Sequence, residues 1–277
     1  VGNDILIGGY LDNVPDGVEF HNVDCCDNIQ MVKIMNGCDI VYHTAATAHE
    51  GLSVFSPDFI TKNIFQASVS TISAAVQNKV KRIVYCTSMA RYGKQEWPFL
   101  ETMPPSPVDP YGVAKVGGEQ VLKILCELNK IEWVIAVPHN IIGPRQRYDD
   151  PFRNVLSIMI NRCLSGKPPI IYGDGEQRRC FSYIDDCVFC LEKLALDSNI
   201  KNDIFNIGPD EELVSINRVA ELVMEKTGFS GTPIHVPDRP QEVKVATCSS
   251  DKARKYLQYN TETSLEIAIE KTVEYIK

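Results

Sequence analysis

The sequence predicts an α/β protein: a doubly wound parallel sheet followed by a smaller α/β C-terminal lobe. Three observations carry this. First, short apolar runs at Asp39–His43, Arg82–Cys86 and Trp133–Val137 read as strands buried in a sheet. Second, segments with helical spacing of apolar residues separate those runs, and strand–helix alternation specifies parallel strands joined by right-handed crossovers. Third, the alternation ends beyond Pro138, where turns and isolated helices take over.

Composition excludes several classes. The 277 residues are 44% hydrophobic and 23% charged, enough for a large core in one broad domain or two joined ones. A formal charge of −8 argues against nucleic acid or an anionic membrane as the main partner, so an anionic ligand requires local arginines. The ten cysteines show no paired CxxC metal spacing and fall mostly in apolar segments, which reads as reduced thiols of a cytoplasmic protein. The five histidines are scattered, and no metal site is predicted. No signal peptide or long apolar span is present.

In chain order, Val18–Phe20 is a strand, Ile29–Met35 a helix and Asp39–His43 a strand ending in the small residues Thr44, Ala45 and Ala46. Such an ending suits either a buried strand terminus or the close approach of a flat ligand. Ser56-Pro57-Asp58 starts a helix with Ser as N-cap and Pro in the first turn, and the apolar face runs through Ile60, Ile64, Ala67 and Ala75 to about Lys79. After the strand ending at Ser88, helical spacing runs from Tyr111 to Leu128 across Gly117-Gly118. Residues 1–145 make up the main sheet domain, to which 180–208 returns; 146–277 form the second lobe. In that lobe we expect a helix near Asn154–Leu164, a hairpin-like Tyr172–Gln177, a helix from Ser215 to about Gly228, and a final helix opened by the capping box Thr263-Ser-Leu-Glu266.

The chemistry-bearing stretch is Tyr111-Gly-Val-Ala-Lys115. Four residues apart on a helix, the two side chains share a face, so the ammonium can favour the ionised phenol and make an acid/base pair. Strands of open α/β sheets end at the ligand crevice, which puts the Ser88 hydroxyl where it can share a substrate oxygen with Tyr111; Thr87 is the backup hydroxyl. The plain alternative is an ordinary tyrosine on an exposed helix.

Taken in order, Val23–Asp27, His43-Thr-Ala-Ala46, Asn63, Thr87–Gly93, Tyr111–Lys115, Pro138–Gln146, Tyr172–Arg179, Phe181-Ser-Tyr183 and Arg239-Pro240 resemble the extended short-chain dehydrogenase/reductase family, and within it the UDP-glucose or UDP-N-acetylglucosamine 4-epimerases. The resemblance covers nearly the whole chain. It implies a Rossmann-type sheet, NAD as cofactor, a UDP-sugar substrate in sugar-nucleotide or cell-surface polysaccharide metabolism, and a homodimer. C4 of the sugar would be oxidised to a 4-keto intermediate that rotates and is reduced on its other face. By resemblance Tyr111 is the base at O4, Lys115 lowers the phenol's pKa and holds the nicotinamide ribose, and Ser88 bonds O4. Cofactor positions are Asp4, which would favour NAD over NADP, Asp24, Cys25, Thr44, Ala45, Ala46, Asn63, Tyr111, Lys115 and Pro138; substrate positions are Ser88, Asn140, Arg179 and Arg239, with Arg145 a weaker match.

The sequence departs from the family in places. It has no GxxGxxG turn, which implies either a fragment of a longer protein or a variant with impaired cofactor binding. Cys180 replaces a usual Asp, and Val137-Pro138-His139 stands where Arg-Tyr-Phe is common. Met89 and Ala90 occupy the positions where 4,6-dehydratases carry an Asp-Glu pair, which weighs against dehydration. A dehydratase, a UDP-glucuronate decarboxylase and a non-catalytic nucleotide-sugar-binding protein remain the alternatives.

Overall fold

The computed structural model describes residues 1–238 and 243–277. They form two compact units, one of Val1–Gly93, Pro104–Val137 and Leu191–Phe205, the other of Lys94–Met103, Pro138–Cys190 and Asn206–Lys277.

The first unit contains a four-stranded sheet in the order Asp203–Ile207, Glu132–Pro138, Arg82–Cys86, Ile40–His43. Its pairings Ile40↔Arg82 and Arg82↔Glu132 are parallel, as the alternation predicts. Ile83, Val84, Val134 and Ile135 are fully buried, which explains why these runs are continuously apolar rather than alternating. A second parallel pair joins Gly2–Asn3 to Phe20–His21. That strand begins two residues later than the expected Val18–Phe20, because pairing with Gly2–Asn3 selects its register.

Asp27 caps the helix Asn28–Ile34, its side chain accepting from the Gln30 N–H at 3.1 Å. The next helix begins at Pro57 and ends at Gln77, but Lys62–Gln66 is wound as a π-helix, which apolar spacing alone does not signal. Ser56 precedes it without a side-chain capping bond.

Helix Pro110–Asn129 is continuous through Gly117-Gly118. Those glycines are contact points rather than breaks: a Cβ on Gly118 would lie 2.2 Å from the Tyr85 hydroxyl, and one on Gly117 2.9 Å from the Phe65 ring. At the start of the inner strand Arg82–Cys86, the buried Arg82 guanidinium donates to the carbonyls of Leu194, Ala195 and Asp197 (3.0, 3.0 and 2.8 Å) and pairs with Glu132, satisfying the open end of helix Ile184–Leu196.

In the second unit, helices Val155–Leu164, Ile216–Thr227 and Leu265–Ile276 pack around Leu156, Ile160, Val219, Val223 and Ile269. Ser215 and Gly228 bound the middle helix, Gly228 with φ +72°. The last helix is capped by Ser264 rather than Thr263, so the expected capping box is out of register by one residue. Tyr172–Gln177 is not a hairpin: Ile170–Tyr172 pairs with Ile234–Val236, whereas Arg178–Arg179 lies between Val214–Ser215 and Val245–Ala246. Turn residues fix a local bend, but the partners of the flanking strands come from distant sequence. Among the described residues, no helix is long and apolar enough to cross a membrane.

We predict that Gly118→Ala destabilises the protein despite the better helix propensity of Ala. Overpacking against a buried tyrosine costs about 1–3 kcal/mol, against about 1 kcal/mol regained from helix propensity. The expected result is a lower urea midpoint at unchanged m-value; a raised midpoint contradicts the close helix-to-strand approach.

Candidate active site

The geometry starts at the end of strand Arg82–Cys86. Its last residues lead into Ser88, whose Oγ accepts from the Ala90 N–H at 3.2 Å and caps the single turn Met89–Arg91. Helix Pro110–Asn129 meets this turn end-on. Asp109 caps the helix through the Gly112 N–H (2.8 Å), Pro110 fills the first position, and Gly112 leaves space for the Ala90 carbonyl, 2.8 Å from where a Cβ would stand.

On this helix Tyr111 is 7% exposed and clusters with Ala114, Ile60 and Ile64; Ala46 and Ala90 pack against that cluster. The structure thus brings Tyr111, the turn after Ser88 and the Thr44–Ala46 strand ending to one place. Tyr111 is not a surface tyrosine.

Lys115 is 4% exposed, and its Nζ donates to the Cys86 carbonyl at 2.8 Å. Its ammonium lies 5.7 Å from the centre of the Tyr85 ring. Burial lowers its pKa to about 8, with Cys86 and Glu119 opposing that shift. His43 is buried beside it and bonds Ser68 Oγ at 2.9 Å; burial and the Lys115 charge lower its pKa to about 3, so it is neutral at physiological pH.

Thr87 is not a spare hydroxyl. Its Oγ1 donates to Glu119 at 2.5 Å, whereas Ser88 Oγ accepts from the Ala90 N–H. Glu119 and Arg91, an ion pair with side chains 0% and 2% exposed, were missed by the sequence reading. The available signal was a carboxylate one turn beyond Lys115 on its face of the helix.

At the end of the Gly2–Asn3 strand, Asn3 pairs with Val23 through both its amide nitrogen and oxygen (3.0 and 3.1 Å), and the Asn22 side chain donates to the Asp4 carbonyl at 2.8 Å. Asp4 and the Asp24-Cys25 turn are therefore brought together. Asp4 is exposed, with its carboxylate near the Leu6 N–H. Asp24 accepts from the Cys26 N–H at 2.8 Å. Asn63 lies in the π-helical turn and donates to Phe59 O at 2.8 Å.

Pro138, Asn140 and Arg179 belong to the second unit. Pro138 ends its strand; Asn140 has φ +45° and donates to the Cys180 carbonyl at 2.8 Å. Arg145 also has positive φ, +68°. Arg179 lies in the strand Arg178–Arg179 and donates to Arg178 O and Lys244 O at 2.8 and 3.5 Å. Arg239 lies outside the described residues.

Residues 8–208 match the model of the NAD dependent epimerase/dehydratase family. This chain belongs to that family. It is 32% identical over 280 residues to a Methanocaldococcus jannaschii protein named for UDP-glucose 4-epimerase, covering 99% of this chain and 89% of the relative. Its fold is similar to that of UDP-glucose 4-epimerase from Thermotoga maritima with UDP-glucose (29% identity, TM-score 0.92, 99% and 89% of the two chains). The Thermus thermophilus UDP-glucose 4-epimerase in complex with NAD is also similar (25% identity, TM-score 0.91, 99% and 89%). Both neighbours share the Rossmann-type fold expected from the resemblance.

The NAD-dependent family implies a dinucleotide, and the residues present fit it. Lys115 carries three N–H protons, and among the described residues Cys86 O is the acceptor that geometry gives it. A buried ammonium with donor capacity to spare suits ribose hydroxyls.

Because burial holds Lys115 near 8, the folded state binds fewer protons than the unfolded state between about pH 8 and 10.5, and the cost of burying the charge is fully present below pH 8. Lys115→Met is therefore expected to stabilise the fold at pH 7 by up to about 3 kcal/mol, less the lost bond to Cys86 O. The gain should shrink as pH rises from 8 towards 10. Denaturant melts across that range check this; a Lys115→Met protein less stable than the parent at pH 7 overturns it.

Proposed function

We propose that this protein is an NAD-dependent epimerase acting at C4 of a nucleotide-diphosphate sugar, most simply a UDP-sugar, through a 4-keto intermediate. The observation that carries the reading is the buried Lys115 ammonium one turn from Tyr111, on a helix that abuts the Ser88 turn. Family membership and the UDP-glucose and NAD complexes of similar proteins support it.

When bound, NAD supplies reversible two-electron oxidation at C4. Tyr111 takes the O4 proton and returns it; its confinement among Ile60, Ile64 and Ala114 removes competing water. Lys115 holds the nicotinamide ribose and favours the ionised phenol. Ser88 donates to O4 as negative charge develops.

Asp4, Asp24 and Cys25 take the adenosine end, and Thr44, Ala45, Ala46, Asn63 and Pro138 line the rest of the cofactor. Asn140, Arg179 and Arg239 hold the diphosphate, a task that suits the planar fork of arginine. On this reading 1–145, with 180–208, is the NAD-binding domain and 146–277 the substrate lobe. Met89 and Ala90 carry no titratable group, which favours epimerisation over dehydration.

The finer setting is also part of this reading. We assign the protein to the cytoplasm, which suits ten free thiols, and to sugar-nucleotide or cell-surface polysaccharide metabolism. A homodimer is supported by Val113, Ile124 and Leu128, which are exposed on the helix that carries Tyr111 (57, 56 and 76%).

Two measurements test the function. Tyr111→Phe should remove most turnover while nucleotide-sugar binding survives, because the hydroxyl acts mainly in the transition state; equal loss of binding and rate contradicts the role. With NAD in heavy water, the protein should interconvert C4 epimers and put no deuterium on sugar carbon. Deuterium at C5, or a 4-keto-6-deoxy product, replaces epimerisation by dehydration.

A further inference from the structure

Arg91 and Glu119 form a buried ion pair beside the proposed catalytic groups, and Glu119 stands on the same helix face as Tyr111 and Lys115, at successive steps of four residues. Its carboxylate accepts from Thr87 Oγ1 at 2.5 Å, from Arg91 Nε at 3.1 and 3.3 Å, and from Arg91 Nη2 at 3.1 Å. Thr87 immediately precedes Ser88, and Arg91 closes the turn that Ser88 caps. One carboxylate therefore grips both ends of the five-residue segment 87–91, with Ser88 inside it.

The same carboxylate bears on Lys115. The titratable groups facing that ammonium are Tyr111 and Glu119 from its own helix, Tyr85 and Cys86 from the strand beneath, and His43 from the next strand. Burial keeps His43 neutral, raises the Cys86 thiol to about 11 and raises the Tyr85 phenol. Glu119, itself paired with the Arg91 guanidinium, is the carboxylate of this group.

A buried ion pair is a poor stabilising device, because desolvation offsets most of the attraction, and a well-packed apolar pair often serves as well. Its geometric specificity is what an apolar pair lacks.

The geometry points to Glu119 as a positioning residue for the proposed epimerisation: its carboxylate clamps Thr87 and Arg91 to the helix of Tyr111 and Lys115, fixing Ser88 against Tyr111 while supplying the counter-charge for the Lys115 ammonium. This rests on the C4-epimerase reading for its kinetic part alone. The electrostatic influence on Lys115 is a property of the protein without cofactor.

The test compares the parent with Glu119→Gln, with Glu119→Asp, and with the paired Arg91→Leu/Glu119→Leu, which removes both buried charges and keeps the core apolar. In protein carrying 13C-labelled lysine, without NAD, the NMR titration midpoint of Lys115 should fall by roughly half a pH unit or more in the Gln variant, less in the paired variant, where the Arg91 charge leaves with the carboxylate, and Asp should restore it. In turnover with NAD, kcat should fall about tenfold to a hundredfold with KM within a few-fold of the parent.

Folded variants with parental Lys115 titration and parental kcat overturn the assignment, as does a loss confined to KM. A parent that does not epimerise, but whose Lys115 midpoint still moves, sinks the functional reading and leaves the electrostatic part of the clamp standing. If neither charge-removing variant folds, Thr87→Val decides: it is isosteric and cuts only the bond beside Ser88. A several-fold drop in kcat at constant KM supports the clamp, and unchanged turnover overturns it.

Discussion

The structure of the first unit depends on how closely helix Pro110–Asn129 approaches the strand Arg82–Cys86. Gly118 leaves room for the Tyr85 hydroxyl, and Gly112 leaves room for the Ala90 carbonyl, so a short face of the helix reaches the strand end with no Cβ between them. At that separation the Lys115 ammonium donates to the carbonyl of Cys86. The glycines cost helix propensity; what they allow is a fixed position for two reactive side chains.

Electrostatics in this region work against stability. An ammonium, a guanidinium and a carboxylate are all taken out of water within a few residues of the strand end. Hydrogen bonds offset part of the cost: Cys86 O accepts from the lysine, and Thr87 and Arg91 donate to the glutamate, while Arg91 Nη1 is buried without a partner among the described residues. The depressed pKa of Lys115 is the record of what remains unbalanced. Such a concentration of buried charge is expected where an acid/base pair must be held ready, since titrating groups away from their ordinary range is how proton transfer at neutral pH is arranged.

The second unit is built differently. Its helices supply the core, and its short strands pair in twos and threes, so positions such as Asn140 and Arg179 are set by local ladders rather than by one large sheet. Asn140, in the left-handed region, turns the chain from one strand into the next while its amide grips Cys180 O. Ser182 then donates to the His139 carbonyl at 2.6 Å, which fastens the segment after Pro138 to the strand that follows Cys180.

The sequence by itself determined the parallel sheet, because the runs at 82–86 and 132–138 are apolar on both faces, as strands covered on both sides are, and helical segments alternate with them. It also determined the Tyr111–Lys115 pairing, since a spacing of four fixes neighbours on any helix, and the helix bounds at Ser215 and Gly228, which act within a single turn. Tertiary structure alone decided the rest. The partners of Ile170–Tyr172 and Arg178–Arg179, the start of the strand at Phe20, and the shift of the last cap from Thr263 to Ser264 all turn on competing contacts with distant residues. So does the engagement of Thr87 by Glu119, across 32 positions of chain, which no local pattern encodes. Periodicity is a property of neighbours along the chain, whereas burial and pairing belong to residues that meet only once the chain has closed on itself.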